Sequence, residues 1–301
     1  PTRSSREGKL RRPGPLLPSM RSRRVHSKRV HSKRCGLSIM IHRFVALGDS
    51  FTEGLDDVLR SDGRNTGWAD RVALRLVTDQ SVDSIEYANL AIRGRLTRQV
   101  IEEQVPVAVD MRPDLATLGV GVNDALRRSF DLDAVATDLE QGVTRLRAGG
   151  AQVLLFAFGD PTRRSRALGA VAGRLAGLRS ATREIARIHG CWLVDFWGVA
   201  HYDDERMWSA DRLHLSPIGH RVTAEAVLEA IWQGTGVVEP GSARADWRSP
   251  DPDPPRLSWL GRRSDDIRWL GAHALPWAGR RIRRVSSGEG VQPKDPVLRV
   301  I

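Results

Sequence analysis

Short apolar runs alternate with longer stretches of helical periodicity from residue 41 to about residue 235. The runs fall at 43–47, 84–90, 115–119, 152–158 and 191–196. Runs of this length, with few polar interruptions, predict parallel strands buried on both faces. Between them the spacing of apolar residues predicts helices over 65–77, 97–110, 131–148, 171–189 and 216–233. Local signals agree: Asp131 can cap the third helix, Gly149-Gly150 ends it, and Ser216-Pro217 joins a cap to a proline in the first turn. Five βα units in succession predict a three-layer α/β/α sandwich with a five-stranded parallel sheet and right-handed crossovers. Such sheets bind ligands beyond the carboxyl ends of their strands.

Charge divides the chain. Residues 1–40 hold twelve Lys/Arg against the single acid Glu7, a net of +11 that equals the formal charge of the whole protein. The remainder is balanced, so the basic character belongs to the leading segment and not to the predicted domain. That segment carries a tandem repeat, Val25-His-Ser-Lys-Arg29 and Val30-His-Ser-Lys-Arg34, with little apolar content. It cannot bury enough surface to offset its ordering entropy and is expected to be disordered. A nucleic-acid or anionic-surface tail is one reading. Translated upstream sequence, with Met40 just ahead of the first strand, is the simpler one. No stretch reads as a transmembrane helix or secretory signal, and Cys35 and Cys191 are poorly placed to pair. A cytoplasmic monomer is expected.

The domain is expected to span 41–235. Residues 236–256, rich in proline, glycine and aspartate, read as a linker, and 257–301 as a basic tail with Trp259, Trp269 and Trp277 among arginines. Two roles remain open for that tail: weak contact with a membrane surface, or docking back onto the core.

Candidate chemistry gathers at the predicted strand ends. Gly48-Asp49-Ser50 follows the first strand, Gly94 closes Asn89-Leu-Ala-Ile-Arg-Gly94, Asn123 lies in Gly121-Val-Asn-Asp124, and Asp211-Arg-Leu-His214 precedes the last helix. Ser50, His214 and Asp211 supply a hydroxyl nucleophile, an imidazole base and a carboxylate to orient it. Taken singly each has a plainer role: Ser50 as an N-cap, Gly94 as a strand end, Asn123 as a turn residue. His220 competes with His214, but should sit on the final helix and pack there. Together the four blocks resemble the SGNH/GDSL hydrolase family over about residues 41–235. The resemblance implies a flavodoxin-like fold and catalysis by Ser50, His214 and Asp211 through an acyl-enzyme. It also implies an oxyanion hole built from the Ser50 and Gly94 backbone N–H groups and the Asn123 side chain. Asp49 and Asp124 read as turn and hydrogen-bond scaffolding.

Other motifs fail. Gly119-Val-Gly121-Val-Asn-Asp124 has Asp where a dinucleotide fingerprint needs its third glycine, and Thr52 stands where a G-x-S-x-G elbow needs its last. No metal or organic cofactor is implied, and Asp203-Asp204-Glu205 reads as a solvated acidic loop. The expected substrate is a small-molecule or lipid ester, with no nucleic-acid role for the core. Arg163, Arg164 and Arg166 follow the fourth strand and either line the cleft or form a solvated loop. A non-catalytic ligand-binding module on the same fold is the rival reading. Its mark would be loss of one of the named residues, and none is lost.

Overall fold

The computed structural model describes residues 40–163, 169–235, 247–249 and 288–301. Strands β1 (Arg43–Gly48), β2 (Glu86–Asn89), β3 (Leu115–Gly119), β4 (Gln152–Ala157) and β5 (Trp192–Asp195) pair in parallel, in the spatial order β5-β4-β3-β1-β2. The alternation of each strand explains its unbroken apolar sequence. In β1, Phe44 and Ala46 enter one core layer while Val45 and Leu47 enter the other, and all four are fully buried.

Helices cover both faces. On the Phe44 side lie α2 (Gly67–Gln80) and α8 (Pro217–Thr235), which pack together through residues such as Trp68, Val72, Val227 and Ile231. On the Val45 side lie α3 (Thr97–Glu103), α4 (Val105–Met111), α6 (Leu132–Ala148) and the end of α7 (Gly169–His189). Two short helices, α1 (Ser50–Glu53) and α5 (Val122–Ala125), follow β1 and β3 directly. The Asp131 carboxylate accepts from the N–H groups of Asp133 and Ala134 and starts α6, as its position predicts. The single helix expected over 97–110 is two, parted at Gln104. Pro106 lies in the first turn of α4, where its missing N–H leaves no helical bond unmade.

The sheet has six strands and is mixed, where the sequence predicts five, all parallel. Strand β6 (Asp295–Val300) comes from the basic tail and pairs antiparallel with β2, with Glu86 opposite Val300 and Asn89 opposite Asp295. The register breaks between Tyr87 and Asn89, within reach of Pro296, which has no N–H to give the ladder. An outer strand tolerates that loss.

Ionic contacts hold this strand in place. The buried Lys294 ammonium donates to the Asn65 and Thr66 carbonyls at 3.1 and 2.6 Å and to Asp70. Arg60 spans Asp70 and Asp295 at 3.2 and 3.0 Å. Within the stretch that reads as a linker, Trp247 is buried. Its indole donates to Glu229 at 2.6 Å, and its carbonyl meets His201 Nδ1 at 3.2 Å. Residues 1–39 and Trp259, Trp269 and Trp277 lie outside the described residues, as do the side chains of Arg163, Arg164 and Arg166. Among the described residues no helix is long and apolar enough to cross a membrane.

Candidate active site

Strand β1 ends at Gly48 with φ of 149°, and a Cβ there would stand 2.5 Å from the Gly119 carbonyl. Only glycine fits this close approach of β1 to β3. Gln104 pins the same residue, donating to its carbonyl and accepting from its N–H, both at 2.9 Å. The chain then turns sharply. Asp49 caps α1 by accepting from the Phe51 N–H at 3.1 Å, and Ser50 is the first residue of the helix. Its hydroxyl therefore projects beyond the carboxyl end of the central strand.

His214 comes to Ser50 from far along the chain, in the turn ahead of α8. Its Nε2 lies 3.1 Å from Ser50 Oγ, and its Nδ1 lies 2.5 Å from Asp211 Oδ2. The other Asp211 oxygen accepts from the N–H groups of Leu213 and His214 at 2.9 and 3.0 Å and from the Ser209 hydroxyl at 2.7 Å. Burial pushes the Asp211 carboxyl up, but the imidazole and these N–H donors outweigh it and hold the group well below the usual carboxylate range. For His214 burial acts downward. The Asp211 hydrogen bond and charge, with Asp56 and Asp49 adding to them, outweigh it, and the imidazole ends above its ordinary value.

Asn123 lines the cleft beside Ser50, whereas Gly94, in the turn after β2, is not among its lining residues. Gly94 has φ of 75°, in the left-handed region that glycine occupies without strain. Its turn is fastened to α1 by buried Glu53, which accepts from the Arg93 N–H at 2.7 Å and the Arg93 guanidinium at 2.9 Å. Asn123, in α5, donates from Nδ2 to Asp49 Oδ2 at 2.8 Å and to the Arg95 carbonyl at 3.1 Å. Asp124 accepts from the N–H and hydroxyl of Thr97 at 3.0 and 2.8 Å, which ties α5 to the start of α3. Ser50, Asn123 and His214 line one cleft of about 70 Å3, together with Phe51, Leu126, Leu175, Phe158, Tyr202 and Trp208.

Other expectations resolve individually. His220 lies on α8, fully buried, with Nε2 3.0 Å from the Leu55 carbonyl. In the acidic run, Asp204 pairs with Arg206 at 2.6 Å and caps a short turn. His189 meets Glu140 at 2.8 Å across helices. Asp56 was not singled out by any motif, yet its carboxylate stands 3.9 Å from His214 Nδ1. With Asp211 and His214 it forms a trio of donor atoms within 4.8 Å of one another. His214 Nδ1 is already committed to Asp211, which leaves it no lone pair for a metal ion.

A model of the GDSL-like lipase/acylhydrolase family matches residues 46–222, a span containing Ser50, Gly94, Asn123, Asp211 and His214. The chain belongs to that family, which places it among the ester hydrolases. No curated protein matches the sequence. Solved structures share the fold. A variant of Axe2, an acetyl xylan esterase from Geobacillus stearothermophilus, is 20% identical over 63% of this chain and 94% of its own, with a TM-score of 0.54. TesA is 21% identical over 64% and 98%, with a TM-score of 0.53. LAE5, an α/β hydrolase enzyme from the metagenome of Lake Arreo in Spain, is 22% identical over 62% and 94%, at 0.52.

Proposed function

We propose that this protein hydrolyses carboxylic esters of short acyl chains through Ser50, His214 and Asp211. The observation that carries the reading is the continuous hydrogen-bonded chain from Ser50 Oγ through the imidazole to the Asp211 carboxylate. A serine hydroxyl is a poor nucleophile until a base takes its proton. Asp211, held ionised, fixes the proton on Nδ1 and leaves the Nε2 lone pair facing Ser50. Attack of Oγ on the ester carbonyl moves the hydroxyl proton to Nε2 and puts negative charge on the carbonyl oxygen. The N–H groups of Ser50 and Gly94 and the Asn123 amide receive that charge. The imidazolium then protonates the departing alkoxide, leaving an acyl-Ser50 ester. Water attacks this ester with the same base, and free Ser50 returns with a carboxylic acid.

The cleft argues for a small acyl group. Its volume of about 70 Å3 is roughly half that of the 150 Å3 cavity known to hold benzene. Acetyl and propionyl groups fit such a space beside Phe51, Leu126 and Leu175. The relatives include an acetyl xylan esterase, in keeping with a short acyl chain. The test is a series of p-nitrophenyl esters with Ser50→Ala as control. We expect kcat/KM to be highest for acetate or propionate and to fall with chain length. A fluorophosphonate probe should label Ser50 and fail to label Ser50→Ala. Equal turnover by that variant would remove the mechanism, and a preference for long chains would remove the acyl assignment.

A further inference from the structure

Asp49 divides its two carboxylate oxygens between two tasks. Oδ1 accepts from the Phe51 N–H at 3.1 Å and caps α1. Oδ2 accepts from Asn123 Nδ2 at 2.8 Å. The side chain is buried, so neither bond competes freely with water. An asparagine amide has nearly the same shape in its two flipped orientations, but one presents N–H groups and the other an oxygen. Here both neighbours of Nδ2, Asp49 Oδ2 and the Arg95 carbonyl, are acceptors. A flipped Asn123 would set its oxygen against two others. The two bonds use both Nδ2 hydrogens, so donation to a substrate oxyanion redirects one of them; the longer bond, to the Arg95 carbonyl, is the one to yield while Asp49 holds the other. Arg95 belongs to the turn just after Gly94, so the same pair of bonds also fixes Asn123 relative to the second donor.

We propose that Asp49 is a positioning residue of the oxyanion hole, acting through Asn123. The inference rests on the reading of Asn123 as an oxyanion donor. Burial pushes the Asp49 carboxyl up to about 7; the Phe51 N–H and His214 oppose that shift, and Asp124 and Glu53 add to it.

Two substitutions separate the tasks. Asp49→Ser keeps a hydroxyl that can cap the helix but cannot also reach Asn123. Asp49→Asn keeps an oxygen for Phe51 or Asn123 at the same length and removes the charge. With p-nitrophenyl acetate, Asp49→Ser is expected to lose kcat by about 10- to 100-fold, less than the roughly 10²–10³-fold typical for deleting a hole donor. Its KM and melting temperature should stay near the parent values. Asp49→Asn, whose one oxygen can serve only one of the two N–H donors while its own amide N–H group faces the other, should recover at most part of the loss. Added to Asn123→Ala, Asp49→Ser should cost almost nothing more, because the group it positions is gone. Losses that multiply in the double variant, or wild-type kcat in Asp49→Ser, would overturn the proposal. Wild-type kcat in Asn123→Ala would instead overturn the reading of Asn123 on which it rests.

Discussion

His214 and His220 lie on either side of the start of α8, one in the turn before it and one in its first turn. Burial acts on both in the same direction, because a charged imidazole loses its hydration in either place. They finish apart. His220, fully buried, has a backbone carbonyl as its hydrogen-bond partner, while Asp57 favours its charge and Arg71 and Lys294 oppose it. Burial prevails, and its pKa falls to about 4. His214 faces the Asp211 carboxylate at 2.5 Å and ends above its ordinary value. Burial alone therefore makes a neutral, structural histidine. A carboxylate at Nδ1 makes one that can accept and hold a proton, which is the property a general base needs.

The sharpest way to break this comparison is to delete each ring. His214→Ala should lower kcat by on the order of 10⁴- to 10⁶-fold, as in other triads, with little change in melting temperature. His220→Ala should keep kcat within a few-fold but lose about 2–4 kcal/mol of stability, from the cavity and from the unpaired Leu55 carbonyl. Steady-state kinetics and denaturant titration on both variants decide the matter. A dead His220→Ala beside an active His214→Ala would reverse the assignments.

A second test uses pH. The folded pKa of His220 is depressed, so the unfolded chain takes up this proton first as pH falls. The stabilising contribution of the neutral ring is fully present above the unfolded value of about 6.5. It is lost as pH drops toward about 4, a change of roughly 3 kcal/mol. His220→Gln should flatten that part of the stability–pH curve. An unchanged slope would show that another group sets it.

The smallest effect belongs to Asp56. Its charge helps raise His214 from 3.9 Å, but the carboxylate is substantially exposed. Activity needs the neutral imidazole and should rise with pH through a limb displaced above the ordinary histidine value. Asp56→Asn should move that limb down by a few tenths of a pH unit at low salt, and salt should shrink the difference. A shift in the opposite direction would mean that Asp56 acts other than by charge.

The parts of this molecule legible in its sequence are those whose cause is local. Apolar runs gave β1 to β5 within a residue or two, because strands buried on both faces need nothing but apolar side chains. Asp131 and Ser216-Pro217 marked helix starts through their own backbone chemistry. Ser50, Gly94 and Asn123 could be proposed as site residues because each sits in a short block just past a strand, and Asp211 and His214 because their block precedes the last helix. Strand β6 could not. Asp295-Pro-Val-Leu-Arg-Val300 contains a proline and two charges, a pattern that argues against a strand unless it occupies an edge. Its anchor, Lys294 on Asp70, joins residues 224 apart in the chain. Asp56 left no signal either, since its role depends on a turn with φ of 69° that no motif marks. The Asp49–Asn123 bond was half visible: a scaffolding carboxylate could be expected, but not which side chain it would hold.

The placement of β6 bears on how the protein reaches its folded state. The Arg60–Asp295 contact closes a loop of 235 residues, among the longest-range pairings in the molecule. Contacts of that separation carry a large loop-closure cost and tend to form late. The five parallel strands, built from successive neighbouring units, can assemble before it. Until β6 arrives, β2 presents a row of unpaired backbone groups, a template for another chain. Asp70 meanwhile lacks the ammonium that matches it in the finished structure. Crowded refolding, slow synthesis or cleavage ahead of Lys294 would all prolong that interval, and each should show itself first as self-association and only afterwards as lost turnover.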